Sequence, residues 1–562
     1  MRFLLSVVIF TIGLVATAFG LIQQSQNQPI NEIVAQQELK FVSNFVIIPA
    51  KVLTAYPGEV SVTGAGSSQV FLATGRESDL VAWLGETKHT ELKLGLSEAE
   101  KKATLSEIER GGEGLLANPV GSDLWRHEVQ DAGQATIFPE TGNEIAVLVA
   151  STGVEPAPPT IQVKWDLPDE RGVIAPITWI GMGLMLLGAL LALITYFIYW
   201  RGTRPRRQKF ETNINPDGTR KSKRRNKIRK LLAFTALTAS SLSLSGCAPE
   251  YENPILSPSP AAAPDTLTPV MDAGQLERIL GEITKVVADA DEAFSRDALD
   301  VRVGGPALTM RRAFYNLAQR SEDPVAPERI LAEPIQLFLP SATDSWPRSV
   351  MVVTGEAPDT ALQLLVLRQE TPRDQYLLWS YSTLLPEIEF PEVAAAEAGA
   401  VALKTDTKFL LMPPKDLPQA VGDILNKGAE SAFTLFIDVE NKYIQDVAAV
   451  QQGLAETLTN ANLTFEHTLG NEEITLLATL DGGALAGVYM TDTYTIVPRS
   501  RGDAVAISGP EALLLGTAGS ATGIETKYGA MLLFYIPTAE SDQQVRLLGA
   551  TQQLLSAKSL AG

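Results

Sequence analysis

The residues best suited to chemistry in this sequence surround its single cysteine. Leu244-Ser245-Gly246-Cys247 closes an apolar run over 231–244, which itself follows the basic stretch 220–230. A basic segment, a short apolar segment, small residues and then cysteine form a bacterial lipoprotein signal. We therefore predict that the chain is cleaved between Gly246 and Cys247 and that the Cys247 thiol receives a diacylglycerol anchor. The alternative is a chance cysteine at the end of an apolar stretch.

The histidines add little chemistry to this motif. His89, His127 and His467 are isolated, without the H-x-x-x-H spacing or the cysteine companion of a metal site. His467 alternates with apolar residues of a predicted strand, so we expect it to be hydrogen-bonded at the edge of the core. The segment 123–127 is interpreted as a polar surface loop.

Acidic and glycine-rich segments do not supply a site either. The acids of 289–300 lack the glycine and the terminal glutamate of a calcium loop, which favours a solvated helix face. The glycine-rich segment 509–523 lacks the lysine of a P-loop, and the sequence contains no G-x-S-x-G. We predict no catalytic residues, no metal ligands and no cofactor.

Two longer apolar segments precede the lipobox. Residues 3–22 are long enough to span a bilayer, although Ala16-Thr17-Ala18 also offers a signal-peptidase site. Residues 173–200 carry no charge and have aromatic residues near both ends, which is typical of a transmembrane helix. Within it, Gly188 and Ala192 have the spacing of small residues that suits helix packing.

Charge sets the orientation of these segments. Of the 46 basic residues 13 lie in 201–230 with only two of the 65 acids, which leaves 33 basic and 63 acidic residues elsewhere. The basic loop is therefore expected in the cytoplasm, where it would attract anionic lipids. Both soluble regions are then extracytoplasmic, attached to the cytoplasmic membrane. Their acidic balance argues against nucleic-acid binding.

These observations predict a multidomain chain. Its segments are a transmembrane helix or signal anchor (1–22), an extracytoplasmic β-rich domain (23–171), a transmembrane helix (173–200), a basic cytoplasmic loop (201–230), the internal lipoprotein signal and lipobox (231–247), a Pro-rich tether (248–271), and two α+β units (272–400 and 401–562). In the β-rich domain, short apolar runs between turn residues predict a sandwich or jelly-roll-like fold, with one strand at 80–84. A capping box at Ser97-Glu98-Ala99-Glu100 predicts one helix, ending near Arg110.

Each α+β unit is predicted as helices followed by antiparallel strands. In the first unit the helices are expected at 275–294 and 307–319, and the strands at 335–339, 349–354, 362–368 and 376–382. In the second unit they are expected at 418–427 and 442–459, with strands at 463–467, 474–480, 485–490, 494–497, 504–507, 528–536 and 545–552.

The second half of the chain resembles a known class of proteins. Trp346-Pro347-Arg348 and the hairpin 362–382 look like a segment of actinobacterial envelope lipoproteins of unknown function. Helices followed by a curved antiparallel sheet, twice over, resemble a tandem of NTF2-like or cystatin-like domains. The first exported region and its membrane helix resemble small two-span membrane proteins of the same bacteria. These resemblances imply a fold and a location, and they bring no catalytic motif.

Two classes of function follow. The first is a non-catalytic, membrane-anchored envelope protein, not an enzyme, whose domains bind another envelope protein or a wall polymer. The alternative is a small-molecule-binding or hydrolytic protein with an NTF2-like pocket, in which scattered acids such as Glu328, Asp344 and Asp374 do the chemistry.

Replacing the cysteine tests the lipobox. We expect Cys247→Ala to abolish labelling by radioactive fatty acid and to leave the chain at full length, because the modified thiol is the substrate for cleavage. Globomycin should cause full-length wild-type chain to accumulate. An unchanged size pattern and unchanged labelling in Cys247→Ala would contradict the prediction.

Overall fold

The computed structural model describes residues 2–26, 31–97, 102–140, 142, 144–168, 174–202, 267–356 and 361–561. The predicted lipidation and cleavage site at Gly246 and Cys247 lies outside these residues, as do nearly all of the basic loop and most of the tether. The described chain forms a pair of long apolar helices, a mostly-β domain and a larger α+β region, as the predicted multidomain arrangement required.

The two long helices pack against each other along their length. They are α1 (Arg2–Gln26) and α4 (Ile174–Gly202), and their segments Leu4–Ile22 and Thr178–Arg201 are long and apolar enough to cross a membrane. A Cβ added to Gly188 would lie 2.7 Å from the backbone nitrogen of Phe10, and one added to Gly181 would lie 2.7 Å from that of Thr17. The contacts run in opposite order along the two helices, so they form an antiparallel pair held close by small residues.

The strands of the β-rich domain form two sheets. They are β1 (Glu32–Glu38), β2 (Phe45–Ile48), β3 (Glu59–Ala65), β4 (Val70–Arg76), β5 (Thr87–Ser97), β6 (Lys102–Glu113), β7 (His127–Asp131), β8 (Gln134–Ile137), β9 (Ile145–Ala150) and β10 (Thr160–Asp166). One sheet has the order β1-β10-β3-β8, and the other has the order β6-β5-β2-β9-β4-β7 with β2 and β5 parallel. Buried apolar residues of both sheets share one core, so this domain is a β-sandwich.

The paired helices α1 and α4 continue into this sandwich. Strand β1 follows α1 and strand β10 precedes α4, and the two strands pair with Glu32 opposite Asp166. The Nζ of Lys164 lies 3.0 Å from a carboxylate oxygen of Glu32 and 2.9 Å from one of Asp166. The antiparallel pairing of the helices is therefore repeated by the strands that enter and leave the domain.

Two predicted elements of the sandwich are wrong. The helix expected to run from Ser97 to Arg110 is replaced by β6, in which Ala103 and Leu105 are buried and their neighbours exposed. This period of two is typical of a strand, and it outweighs the capping pattern, whose last three residues lie outside the described chain. The strand expected at 80–84 belongs to the helix α3 (Glu77–Leu84), in which Leu80, Trp83 and Leu84 are buried at helical spacing. A second short helix, α2 (Ala50–Leu53), follows β2.

The described residues of the C-terminal region, within 267–561, form two larger sheets, a two-stranded sheet and four longer helices. The helices are α5 (Ala273–Ala293), α6 (Gly305–Ala318), α7 (Leu417–Lys427) and α8 (Lys442–Thr457), with a short α9 (Pro510–Leu515). The first sheet is β11 (Ile335–Pro340), β12 (Arg348–Thr354), β13 (Gln363–Gln369) and β14 (Leu377–Thr383) in that order. The second contains β15 (Ala461–Leu469), β16 (Thr475–Ala478), β17 (Ala484–Pro498), β20 (Ile524–Ile536) and β21 (Arg546–Ser559); β18 (Val505–Ala506) pairs with β19 (Gly519–Ser520). The predicted positions of these helices and strands are largely confirmed, except that 485–490 and 494–497 are one strand.

The two sheets pack against each other between two layers of helices. On β12, Val350 and Val352 join a core with α5 and α6, whereas Met351 and Val353 join a core with the second sheet. The central strands of the second sheet alternate in the same way between this shared core and a core with α7 and α8. Strands covered on both faces explain the uninterrupted apolar runs in the sequence. The α+β class is confirmed, and each sheet covers one face of the other.

The helix pair can be tested with two matched glycines of α4. We expect Gly188→Leu to lower the stability of the chain in detergent by about 1–3 kcal/mol, because the new side chain meets the backbone of α1. Gly183→Leu is the control, because a Cβ at Gly183 has nothing within 4 Å among the described residues. Thermal unfolding measures both, and equal effects would contradict this packing.

Candidate functional site

A contact between the sandwich and the C-terminal region buries charged side chains from both. On the sandwich side the helix α3 lies on the outer face of the six-stranded sheet, with its apolar residues packed against that sheet. Asp79 of this helix and Asp123 of the following loop are 1% and 0% exposed. Carboxylates are rarely buried to this extent without a charged partner, so their partners define the site.

Asp123 is held by two arginines and a backbone amide of the C-terminal region. One oxygen of its carboxylate lies 2.5 Å from a guanidinium nitrogen of Arg302 and accepts a 2.7 Å hydrogen bond from the backbone N–H of Tyr376. The other oxygen lies 3.4 Å from Arg278. Burial by itself lowers the pKa of Arg302, but the hydrogen bonds and charges of Asp123 and Glu282 outweigh it, so the pKa is raised.

Asp79 is held by the loop that begins β12. Arg348 donates a 2.7 Å hydrogen bond to its carboxylate, and the Arg348 guanidinium lies 3.6 Å from the ring centre of Trp346. Trp346 itself packs against the apolar cluster beneath α3. Beside this pair, Arg76 of the sandwich forms an ion pair with Asp344. The Arg348 guanidinium is therefore held both by cation–π stacking on Trp346 and by its ion pair with Asp79.

Arg373 binds the C-terminal end of α3. Its guanidinium donates hydrogen bonds of 2.8 Å to the carbonyl of Trp83, 3.3 Å to that of Leu84 and 2.8 Å to that of Leu115. It also lies 5.0 Å from the ring centre of Trp83. The last carbonyls of a helix lack partners within it and carry partial negative charge, which a cation stabilises. Desolvation lowers the pKa of Arg373.

The acids proposed for a pocket have different surroundings. Asp344 lies in the ion-pair interface, Asp374 lies in the turn beside Arg373, and Glu328 accepts hydrogen bonds from Gln363 and Thr383. Glu328 lines a cleft of about 170 Å³, whose other walls include Arg311, Phe314, Tyr381 and Gln552. Pockets for drug-sized ligands usually measure about 300–1,000 Å³. The three acids therefore do not line one common cavity.

His467 belongs to a satisfied buried network, as expected. Its Nδ1 lies 2.7 Å from a carboxylate oxygen of Asp492, and its Nε2 lies 2.9 Å from the amide nitrogen of Gln451. An amide nitrogen can only donate, so Nε2 accepts and Nδ1 carries the proton that is donated to Asp492. Gln552 donates to the second oxygen of Asp492. This arrangement orients β15 against β17 and leaves no free ring nitrogen for chemistry.

The other histidines and acids have separate partners. His89 is bonded to the backbone carbonyl of Thr87, and His127 lies near Glu140 at the surface. In the acidic segment 289–300, Asp291 is largely buried against Arg311 rather than solvated. Within the described residues no group of three or more His, Cys, Asp and Glu side chains is placed to hold a metal ion.

The sequence patterns do not predict the interface, although they include two of its parts. The loop 123–127 is predicted at the surface, yet Asp123 and Trp125 are buried. Trp346-Pro347-Arg348 carried the family resemblance, and both of its large side chains enter the interface. An isolated aspartate beside tryptophan could have indicated a buried ion pair, but the arginine that completes it lies 179 residues away.

Comparison with known proteins places the C-terminal region in a family. Residues 267–559 match the family described as a domain of unknown function, DUF8094. The match covers slightly more than half of the 562-residue chain, so the protein belongs to this family. It begins after the sandwich and includes the interface arginines Arg278, Arg302, Arg348 and Arg373. No curated protein and no solved structure matches the chain.

Removing one buried charge tests the interface. We expect Asp123→Ala to destabilise the docked form by about 3–5 kcal/mol, because it leaves Arg302 buried without its main counter-charge. Asp300→Ala is the control, because Asp300 pairs with Arg312 at the exposed surface, where an ion pair contributes about 0–1 kcal/mol. Urea titration followed by tryptophan fluorescence measures both, since Trp83 and Trp125 lie beside the interface. Similar midpoints for the two variants would contradict this assignment.

Proposed function

We propose that this protein is a non-catalytic, membrane-anchored component of the cell envelope, with both soluble regions on the extracytoplasmic side of the cytoplasmic membrane. In this proposal its C-terminal half is processed as a lipoprotein at Cys247. The single observation that carries the proposal is the direct contact between the sandwich and the DUF8094 region through Asp123 and Arg302.

The contact supports a third membrane crossing, because the number of crossings between the sandwich and the DUF8094 region must be even if both lie on the same side. If the antiparallel helices α1 and α4 both span the membrane, the sandwich between them lies on one side and the chain after Gly202 emerges on the other. The DUF8094 region touches the sandwich, so the chain must return across the membrane between 203 and 266. The apolar run 231–246 is the segment of that interval suited to crossing.

Charge and length support the direction and the nature of this crossing. The basic residues of 201–230 favour the cytoplasm for the loop before it, which makes the soluble side extracytoplasmic. A run of 16 residues rich in serine and threonine is short for a permanent helix but suits a signal that is cleaved before Cys247. The Pro-rich segment 248–266 can then span about 60 Å between the lipid and the folded domain.

The proposed role of the displayed domains is binding to another envelope protein or a wall polymer. The acidic balance outside 201–230 disfavours a nucleic-acid partner. We also propose that these domains have an NTF2-like or cystatin-like fold, with which the layering of helices on two antiparallel sheets is compatible. The buried histidine and the separated acids offer no arrangement from which we would derive a reaction.

The second candidate function is small-molecule binding in the cleft beside Arg311. The buried guanidinium of Arg311, the hydroxyl of Tyr381 and the Glu328 carboxylate there could bind a small polar ligand. Its volume of about 170 Å³ leaves room for only a few heavy atoms. A small metabolite retained by the purified protein, with no macromolecule captured by in-cell crosslinking from 272–562, would favour this candidate.

The topology is tested by thiol labelling of intact cells in a Cys247→Ala background, where no native cysteine remains. An impermeant reagent should label exposed Ser68→Cys in the sandwich and Ala455→Cys in the DUF8094 region. Ser222→Cys should be labelled only after permeabilisation, because we expect it in the cytoplasm. Labelling of Ser222→Cys in intact cells, or opposite results at positions 68 and 455, would overturn the proposed topology.

A further inference from the structure

We infer that the sandwich is a separable binding partner of the DUF8094 region, and that their interface holds the two halves together as a complex after the chain between them is cut. The inference goes beyond the proposed topology and requires only that both regions lie on the same side of the membrane. It also gives the interface a role once the proposed cleavage before Cys247 has occurred, since the two products would otherwise be anchored independently.

Each partner has a hydrophobic core of its own. The main core of the sandwich contains residues from 33 to 167, and the three large cores of the DUF8094 region contain residues from 270 to 555. The cluster beneath α3 is shared, and Trp346 is the residue of the DUF8094 region that enters it. Partners that each have their own cores, joined among the described residues by one inserted tryptophan and a polar contact, are typical of a protein–protein interface rather than of one divided domain.

Charge complementarity identifies the partner. At the interface, most of the arginine side chains belong to the DUF8094 region, and most of the carboxylate and carbonyl oxygens that they bind belong to the sandwich. Arg278, Arg302 and Arg348 bind the carboxylates of Asp79 and Asp123, and Arg278 also donates to the backbone carbonyl of Trp125. This arginine-rich surface of the DUF8094 region fits a partner that contributes two carboxylates and the C-terminal carbonyls of a short helix. The sandwich provides both, with Asp79 and the end of α3 and with Asp123.

The interface has the composition of a binding hot spot. Arginine and tryptophan dominate such sites when they are desolvated at the centre of a contact, and here Arg302 and Arg348 are 2% and 0% exposed. By contrast, the covalent connection between the two regions is long, because 64 residues separate Gly202 from Leu267. A long connection contributes only a modest effective concentration, so the contact itself must supply the affinity.

The experiment uses the full chain carrying Cys247→Ala, a protease site inserted within 248–266 and an affinity tag at the C-terminus. After extraction in detergent and complete cutting, we expect the fragment with the membrane hairpin and sandwich to remain bound to the tagged fragment. Asp123→Arg should weaken this retention by about 100-fold or more, because it places a third arginine against Arg278 and Arg302.

A second variant excludes misfolding as the cause. Arg373 lies in the turn between β13 and β14, outside the hydrophobic cores, so Arg373→Ala should reduce retention while the fragment stays folded by circular dichroism. Arg312→Ala is the matched control, because Arg312 pairs with Asp300 within the DUF8094 region and should leave retention unchanged. Dissociation of the wild-type fragments on cutting would overturn the inference.

Two further outcomes separate this inference from neighbouring ideas. Capture of a differently tagged sandwich from a co-expressed second copy, before any cutting, would overturn pairing within one chain in favour of exchange between copies. Thiol labelling reports the topology independently. If the fragments are retained but Ser222→Cys is labelled in intact cells, the proposed topology is contradicted while the inference about the interface is supported.

Discussion

The relation between the two halves of this protein depends on the burial of Asp123 against Arg302. A carboxylate with no exposed surface is strongly disfavoured unless a cation and hydrogen-bond donors replace its water, and Arg302, Arg278 and the amide of Tyr376 do so. Because these partners belong to the other half of the chain, the charge is satisfied only when the halves are docked. Such pairs add less net stability than their number suggests, but the loss of one partner leaves an uncompensated buried charge and is strongly destabilising.

This constraint also explains the shape of the surrounding elements. The helix α3 presents Asp79 and its carbonyl end outward, where Arg348 and Arg373 bind them, while its apolar side covers the six-stranded sheet. The strands β4 and β9 beneath it are consequently buried on both faces. On the other side of the domain, β1 and β10 lead into the paired helices α1 and α4, so one sandwich connects the helix pair with the docked domain.

Local patterns predicted most of the C-terminal region. The helical spacing of apolar residues over 275–294 predicts α5, and the turn at 370–374 predicts the hairpin of β13 and β14. Local patterns failed where two of them competed. At 97–110 an apparent capping box indicates a helix, whereas apolar residues at every second position indicate a strand. The strand β6 forms because this alternation buries Ala103 and Leu105 while the backbone pairs with β5. At 80–84 the apolar run was too short for its period to be read, and α3 formed instead.

By itself the sequence determined the apolar spans, the basic loop, the lipobox pattern and the α+β character of the second half. Each of these depends on hydrophobicity, charge or spacing over fewer than about 30 neighbouring residues. Only the tertiary structure decided that the two sheets pack on each other and that Asp79 and Asp123 are buried beneath arginines more than 150 residues away. An isolated aspartate has the same local appearance in a solvated loop and in a buried ion pair, because what distinguishes them is a partner that folding brings from a distant part of the chain.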